Sequence, residues 1–237
     1  MKTSLPIAIV ALMALLPPLS ARGVHGAKVQ QIFNGKNLDG WSGDPRLWSV
    51  NDGCLVGSTV DHKIETNTFL VWQGAEVTDF RLNFKAKVVG DNNSGVQYRS
   101  KLIDAKNWRV VGYQADINAN PEYVAMLYSE GTGRSILATR GTKAVLESDP
   151  KQGKSEAKVF SVAPIDVAQW HEFSIIARGN HLVHQLDGET TIDVVDNHDD
   201  KALRGILALQ LHAGQPMTVY FKDMELETLE ASAQVGK

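Results

Sequence analysis

The 237-residue sequence contains a single cysteine and eight prolines, and its charges nearly balance. Because Cys54 has no second cysteine to pair with, an internal disulfide is excluded, and we expect Cys54 to be a buried apolar residue of a protein held together by its core. Lysine and arginine number 24 against 27 aspartate and glutamate residues. This balance lacks the basic excess that is typical of nucleic-acid-binding proteins, so no nucleic-acid partner is expected.

Several catalytic signatures are also missing. The sequence has no phosphate-binding loop, no Gly-x-Ser-x-Gly elbow, no His-Glu-x-x-His and no Cys-x-x-Cys, which disfavours redox cofactors and zinc clusters. Internal repeats are absent, which disfavours a structural cell-surface protein. One acidic group (Asp193, Asp196, Asp199 and Asp200) has no calcium-loop spacing and is interpreted as a solvated turn.

Long apolar runs are lacking except near the N-terminus. Lys2 precedes an apolar stretch at 5–19, and small residues follow it. This order is typical of a cleavable secretory signal, predicted to occupy residues 1–26 with cleavage after Ala21 or Gly26. A membrane anchor is the alternative, but it needs about 20 apolar residues, and three prolines interrupt this stretch. We therefore expect export to the periplasm or beyond the cell, with no membrane span after cleavage.

Alternation of apolar and polar residues is the main structural signal. From Phe80 to Val88 every second residue is apolar, as in a half-buried strand. Similar patterns recur in seven further segments: 96–99, 111–117, 173–177, 182–186, 190–195, 206–212 and 219–221. Asp187-Gly188 between two of them predicts a hairpin. Short strands separated by turns indicate an all-β sandwich of two antiparallel sheets.

Other segments carry weaker signals. Residues 142–147 and 164–169 could each form one or two helical turns, although neither has an apolar stripe. The stretch from Ser129 to Ala163 shows no clear period and is predicted to be a long excursion between strands. The polar end of the chain, residues 227–237, is predicted to be a frayed tail.

Polar residues recur at alternate positions of three predicted strands. If Val96 and Tyr98 face the core, the residues that follow each of them face outward. The same rule gives three outward pairs: Gln97 with Arg99, Gln114 with Asp116, and Gln210 with His212. Any single pair is most simply a solvated surface. Taken together, amides, a guanidinium, a carboxylate and an imidazole are groups that bind sugar hydroxyls and move protons. Tyr128 and Glu130 could overhang the same face.

Five blocks of the sequence resemble a known family. They are Phe33–Trp41, Trp48–Gly53, Asn93–Arg99, Gly112–Ile117 and Gly205–His212. Together they are similar to the 3-keto-disaccharide hydrolase family over about residues 31–226, which implies one domain at 27–237. The resemblance implies a concanavalin A-like β-sandwich, or jelly roll, exported by glycan-degrading bacteria. It also implies 3-keto-glucoside 1,2-lyase and 3-keto-2-hydroxyglucal hydratase activities, which amount to hydrolysis of a 3-keto-glycoside.

The resemblance brings no residue roles, so these follow from the chemistry. A ketone at carbon 3 makes the carbon 2 hydrogen acidic, and the reaction needs a base, an enolate stabiliser and an acid. We expect His212 as base, Arg99 with Gln97 at the enolate oxygen, and Asp116 or Glu130 as the acid or as the group that orients His212. The groups expected to bind sugar hydroxyls are Gln114, Gln210 and Tyr128.

Two questions stay open at this level. A divalent cation could replace Arg99 at the enolate, but no ligand spacing establishes a metal site. The chain could also be a non-catalytic carbohydrate-binding module, because the same fold serves both purposes. In either case the expected ligand is a carbohydrate, a 3-keto-sugar in the first. The sequence gives no indication of oligomeric state.

Overall fold

The structure is a computed structural model that describes residues 28–118, 120–149 and 154–230. The predicted signal at 1–26 lies outside the described residues, as does the end of the predicted tail, 231–237. Over the described ranges the secondary structure consists of strands, and no helix there is long and apolar enough to cross a membrane. The predicted all-β class is confirmed.

In the described residues, seventeen strands form two sheets. In chain order they are β1 (Lys28–Gln31), β2 (Trp41–Ser42), β3 (Trp48–Asn51), β4 (Cys54–Ser58), β5 (Thr68–Trp72), β6 (Phe80–Gly90), β7 (Asn93–Asp104), β8 (Arg109–Asn118), β9 (Leu127–Glu130), β10 (Ser135–Ala138), β11 (Thr142–Leu146), β12 (Lys154–Lys158), β13 (His171–Arg178), β14 (His181–Leu186), β15 (Glu189–Asp196), β16 (Ile206–Leu211) and β17 (Met217–Thr228). One sheet has the order β10-β9-β8-β7-β16-β5-β2, and the other β12-β11-β15-β14-β13-β6-β17-β4-β3, with β1 beside β17.

The core lies between the two sheets. Alternate residues of β6 and β16 supply it, as the sequence pattern predicts, and Leu207, Leu209 and Leu211 are almost fully buried. On the ten-stranded sheet, Phe84 stacks on Phe173 with ring centroids 5.2 Å apart. The predicted sandwich of two mostly antiparallel sheets is therefore confirmed, and the outer face of the seven-stranded sheet remains available for a site.

The predicted excursion at 129–163 is wrong, because this stretch contains β10, β11 and β12. Residues 142–146 form a strand rather than helical turns, and β11 runs parallel to β15. In β11 Thr142, Ala144 and Leu146 are buried while Lys143 is exposed. Because one of the buried positions is a threonine, the alternation of apolar and polar residues is not visible in the sequence. Residues 164–169 contain a turn and no helix, and β17 extends to Thr228, into the predicted tail.

Arg99 does not share an outward face with Gln97. Its φ is +47°, and the pairing of β7 with β8 shifts register between Tyr98 and Lys101. This irregularity is a β-bulge, which interrupts the alternation of side chains on a strand. The bulge turns the Arg99 side chain away from the Gln97 face, so the alternation rule fails at this residue.

The Arg99 side chain instead joins loops at one end of the sandwich. It is 1% exposed and forms a 3.1 Å ion pair with Asp79. Its guanidinium donates hydrogen bonds to three backbone carbonyls: Thr78 O at 2.8 Å, Gly179 O at 2.5 Å and Ala202 O at 3.3 Å. Arg99 is thus a structural residue, and its predicted place at the enolate is corrected.

The solvated-turn interpretation is also wrong for Asp196. Its side chain is fully buried and accepts hydrogen bonds from Arg134 at 2.7 and 2.9 Å and from the Tyr113 hydroxyl at 2.5 Å. Burial, together with the hydrogen bond to Asp196, raises the pKa of Tyr113 well above its ordinary value. Asp199 and Asp200 are exposed, as the interpretation requires.

Replacing Arg99 is expected to affect stability strongly. Arg99→Ala removes a buried guanidinium together with its ion pair to Asp79 and its hydrogen bonds to three backbone carbonyls, so we expect a loss of about 3 kcal/mol in the free energy of unfolding. Arg81→Ala is the matched control, because Arg81 is largely exposed and lies 3.9 Å from Glu227, and it should cost less than about 0.5 kcal/mol. Denaturant titration measures both, and equal losses would contradict the structural role.

Candidate active site

A pocket of about 230 Å³ opens on the outer face of the seven-stranded sheet. It brings together six of the eight residues expected from the sequence: Gln114, Asp116, Tyr128, Glu130, Gln210 and His212. Three further residues complete its lining: Asn67, Asn93 and Met126. The two expected residues that do not line it are Arg99, at the end of the sandwich, and Gln97.

Strand alternation places these side chains on one face. Leu209 and Leu211 point into the core, so Gln210 and His212 point outward. Gln114 of β8 lies opposite Tyr128 of β9 in the register.

Gly95 of β7 makes room for the floor of the pocket, which is formed by the side chains of Gln114, Asp116 and Gln210. It lies opposite Asp116 of β8. Its strand, β7, lies between β8, which carries Gln114, and β16, which carries Gln210. A Cβ at this position would lie 2.6 Å from the Gln114 side chain. Only glycine therefore lets Gln114 extend across β7 towards β16.

Gln97 does not line the pocket, but it holds the floor residue Gln114 in place. It is fully buried and donates to Gln114 Oε1 at 2.7 Å, while Ser100 donates to Gln97 Oε1 at 2.7 Å. These two bonds fix the orientation of both amides. Gln114 Nε2 then donates to Asp116 Oδ1 at 2.6 Å and to Gln210 Oε1 at 3.2 Å.

Glu130 closes one side of the pocket. Its carboxylate accepts hydrogen bonds from Asn67 Nδ2 at 3.2 Å and from Gln210 Nε2 at 3.3 Å. Asn67 is oriented in turn by the Ala213 amide, which donates to its Oδ1 at 2.9 Å. Glu130 belongs to β9 and Gln210 to β16, with two strands between them in the sheet order. Their side chains meet over that span because the sheet is concave.

Asp116 has a strongly raised pKa. It is 1% exposed, and burial raises its pKa from 3.8 to about 7, with a smaller contribution from the nearby Glu130 charge. Hydrogen bonds from Gln114 and Asn118 oppose the rise. A carboxyl with a pKa near neutrality is populated in both protonation states and suits general acid–base catalysis.

His212 presents one ring nitrogen as a base. Its Nδ1 lies 2.5 Å from the Ala213 carbonyl oxygen, and because a carbonyl only accepts, Nδ1 carries the hydrogen. In the neutral ring Nε2 then has the free lone pair. The hydrogen bond that orients His212 therefore comes from the backbone, whereas the sequence pointed to Asp116 or Glu130.

Sequence reasoning missed Asn67, Asn93 and Met126. Asn67 lies in the loop before β5, and its hydrogen bond from the Ala213 amide holds it at the pocket. Asn93 lies in one of the resembling blocks, and its buried Oδ1 has no hydrogen-bond partner among the described residues. Asn93 lines the pocket. Met126 follows a loop whose path the sequence pattern does not indicate.

A larger cavity of about 800 Å³ lies elsewhere, beside Arg140, Asp166 and His171. His171 is held there by Asp187 at 2.7 Å and by the Asp166 carbonyl at 2.9 Å. None of the eight expected residues lines it, so the smaller pocket is the candidate site. Across the residues that the structure describes, no group of three or more His, Cys, Asp or Glu is arranged to hold a metal ion.

Solved structures with the same fold include proteins of two kinds. A candidate glycosyl hydrolase from Parabacteroides distasonis superimposes with a TM-score of 0.57 at 19% identity, covering 85% of this chain and 94% of its own. A family 66 carbohydrate-binding module from Bacillus subtilis gives 0.53 at 19% identity, covering 78% and 94%. A Bacillus subtilis protein of unknown function with a galectin-like fold gives 0.52 at 10% identity, covering 81% and 90%. At these identities the likeness establishes the fold alone.

No curated protein matches the sequence significantly. The sequence model of the 3-keto-alpha-glucoside-1,2-lyase-like domain matches residues 28–227. That range contains every strand from β1 to β16 and nearly all of β17, as well as all nine residues that line the pocket. The chain therefore belongs to the 3-keto-alpha-glucoside-1,2-lyase-like domain family.

Proposed function

We propose that the protein cleaves 3-keto-glycosides by 1,2-elimination and then hydrates the product, with net hydrolysis of the glycosidic bond. The observation that carries the proposal is the buried Asp116, whose pKa is raised to about 7, in one pocket with the free Nε2 of His212. The first group can donate a proton and the second can accept one. Family membership supports the choice of a ketone-activated substrate.

In the elimination step, His212 Nε2 takes the proton from carbon 2, and the electron pair moves into the ketone to give an enolate. The enolate then re-forms the ketone, the double bond between carbons 1 and 2 appears, and the aglycone leaves from carbon 1. Asp116 gives its proton to the departing oxygen. No oxocarbenium-stabilising carboxylate pair is needed, in contrast to ordinary glycoside hydrolysis.

The enolate oxygen needs hydrogen-bond donors, and Arg99 lies too far away to supply them. Tyr128 lines the pocket, and its hydroxyl carries a donor hydrogen suited to this task, whereas the Asn67 amide already donates to Glu130. Gln114 and Gln210 are locked in hydrogen bonds with acidic and amide neighbours, so we assign them to shaping the floor and binding hydroxyls.

Hydration reverses the proton movements. Water attacks carbon 1 of the unsaturated ketone, the Asp116 carboxylate takes the proton of that water, and protonated His212 returns a proton to carbon 2. Both residues are then back in their starting states, so one pocket completes both steps. We further propose that the protein acts outside the cytoplasm, after removal of the segment 1–26 as an export signal.

The alternative function is carbohydrate binding without catalysis. It is supported by the fold that the protein shares with a carbohydrate-binding module. The two functions differ in one measurement. Incubation with a 3-keto-disaccharide should release the free sugar, and mass spectrometry in heavy-oxygen water should detect the unsaturated intermediate and its labelled hydration product. Binding without any released sugar would favour the module.

Removing the acid or the base should nearly abolish turnover. We expect His212→Ala and Asp116→Asn each to lower kcat/KM on a 3-keto-disaccharide by about 10²- to 10⁴-fold, the usual contribution of a general acid or base. His181 and Asp193 are matched controls, because they pair with each other at 2.8 Å on the other sheet. His181→Ala and Asp193→Asn should retain full activity. Near wild-type rates in both pocket variants would contradict the assignment.

The activity should depend on Asp116 protonation. Because the elimination step uses the protonated carboxyl, kcat/KM should fall as the pH rises above about 7, the pKa of Asp116. A pH–rate profile of the wild type measures this limb. The residual activity of Asp116→Asn should lack it, since the amide does not titrate in this range. The same decline in kcat/KM in both proteins would show that another group causes it.

The raised pKa also predicts a pH-dependent stability. Between pH 4 and 7 the unfolded chain releases the Asp116 proton while the folded protein keeps it, so stability should fall as the pH rises. A pKa raised from 3.8 to about 7 corresponds to about 4 kcal/mol for this group alone. Denaturant titrations across this range should show a smaller decline in Asp116→Asn than in the wild type. Parallel curves would mean that the carboxyl titrates normally.

A further inference from the structure

The hairpin of β7 and β8 folds back over the concave face that carries the pocket. Its turn residue Asn107 accepts a hydrogen bond from Thr68 Oγ1 at 3.2 Å, and Trp108 Nε1 donates to Ser42 Oγ at 3.0 Å. Thr68 belongs to β5 and Ser42 to the edge strand β2. The hairpin end, residues 104–109, therefore crosses β16 and β5, and we call it the arch.

The arch is packed onto the sheet through an apolar cluster of its own. The cluster contains Phe69, Val71, Val110 and Ala208, with Trp108 and Ile206 beside it. Phe69 is 1% exposed and Ala208 is fully buried, although their chain neighbours Leu70 and Leu209 belong to the main core. Phe69 and Ala208 thus lie on the concave face, and the arch is what shields them from water.

The bend that directs the arch is built into the strand pair. The bulge at Arg99 shifts the register of β7, and Gly112 of β8 has a φ of +147°. A Cβ at Gly112 would lie 2.4 Å from Ser100 Oγ, so the close approach of the two strands requires glycine. The bulge at Arg99 precedes the arch on β7 and Gly112 follows it on β8, so the two irregularities flank the arch.

The arch and the pocket lie next to each other along β16. Ala208 lies under the arch, and Gln210, two residues on, lines the pocket. Glu130 lies opposite Gly112, nearer to the arch along β8 than Gln114, and its hydrogen bonds to Asn67 and Gln210 cross the concave face there. The pocket is therefore closed on the arch side. Its volume of about 230 Å³ is below the range of about 300 to 1,000 Å³ for drug-sized ligands, which suits one sugar ring.

We propose that the arch restricts the site to an oxidised sugar at the end of a chain. This inference rests on the proposed function. An internal sugar carries a second glycosidic bond besides the one at carbon 1, and the attached residue would meet the Asn67–Glu130 link and the arch. The substrate class is then 3-keto-disaccharides and oligosaccharides oxidised at their terminal residue. Glycans oxidised at an internal residue are excluded.

The test compares two trisaccharides of the same linkage, one oxidised at carbon 3 of its non-reducing terminal residue and the other at carbon 3 of its middle residue. Calorimetry with the Asp116→Asn protein measures binding without turnover, and the wild type measures release of sugar. We expect the terminally oxidised ligand to bind at least about tenfold more tightly, a difference of about 1.4 kcal/mol. Equal affinities, or no binding of either ligand, would overturn the inference.

Shortening the arch supplies the complementary measurement. Replacing residues 105–108 by Asn-Gly should bring the two affinities closer together, and Trp108→Ala should do so in part if the shortened protein does not fold. Ile103→Ala is the control, because Ile103 lies on the same hairpin and is 55% exposed. An unchanged preference in a folded arch variant would contradict the inference. Binding of the terminal ligand without any turnover would instead refute the proposed function and leave the arch assignment standing.

Discussion

Burial of polar side chains on the concave face is the constraint on which the rest of this structure depends. Gln97, Gln114, Asp116 and Gln210 are almost fully shielded from water, and an unpaired buried polar group costs about 1–3 kcal/mol. Each must therefore be satisfied by a neighbour, and the chain of bonds from Ser100 to Glu130 achieves this. Because every amide in the chain has one orientation that satisfies its neighbours, the pocket floor is fixed before any ligand binds.

This chain of bonds also explains which parts of the site the sequence predicted. Alternation on a strand decides the face of each side chain, so Gln114, Asp116, Gln210 and His212 could be assigned to one face from their spacing alone. Their mutual contacts could not, because Gln114 meets Gln210 only across Gly95 and a curved sheet. Asn67 was missed because its partner Glu130 is 63 positions away in the chain.

The failures have equally local causes. Arg99 fits the alternation pattern in the sequence, but a β-bulge directs its side chain towards the loops at one end of the sandwich. No residue type in 96–101 predicts that bulge. The strand at 142–146 escaped prediction because Thr142 occupies a core-facing position where an apolar residue is expected. The overall fold was more predictable than the site, because many strands repeat one pattern and a single exception does not hide it.

The two carboxyls of the pocket have environments different enough to separate their roles. Glu130 is partly exposed and accepts one amide hydrogen bond on each oxygen, at 3.2 and 3.3 Å. Asp116 is buried, with one close donor at 2.6 Å and a second at 3.5 Å, and the Glu130 charge further disfavours its ionisation. When two neighbouring carboxyls compete, the buried one keeps the proton. In the proposed mechanism Asp116 on the pocket floor is the acid, and the leaving oxygen of the substrate would then point towards β8.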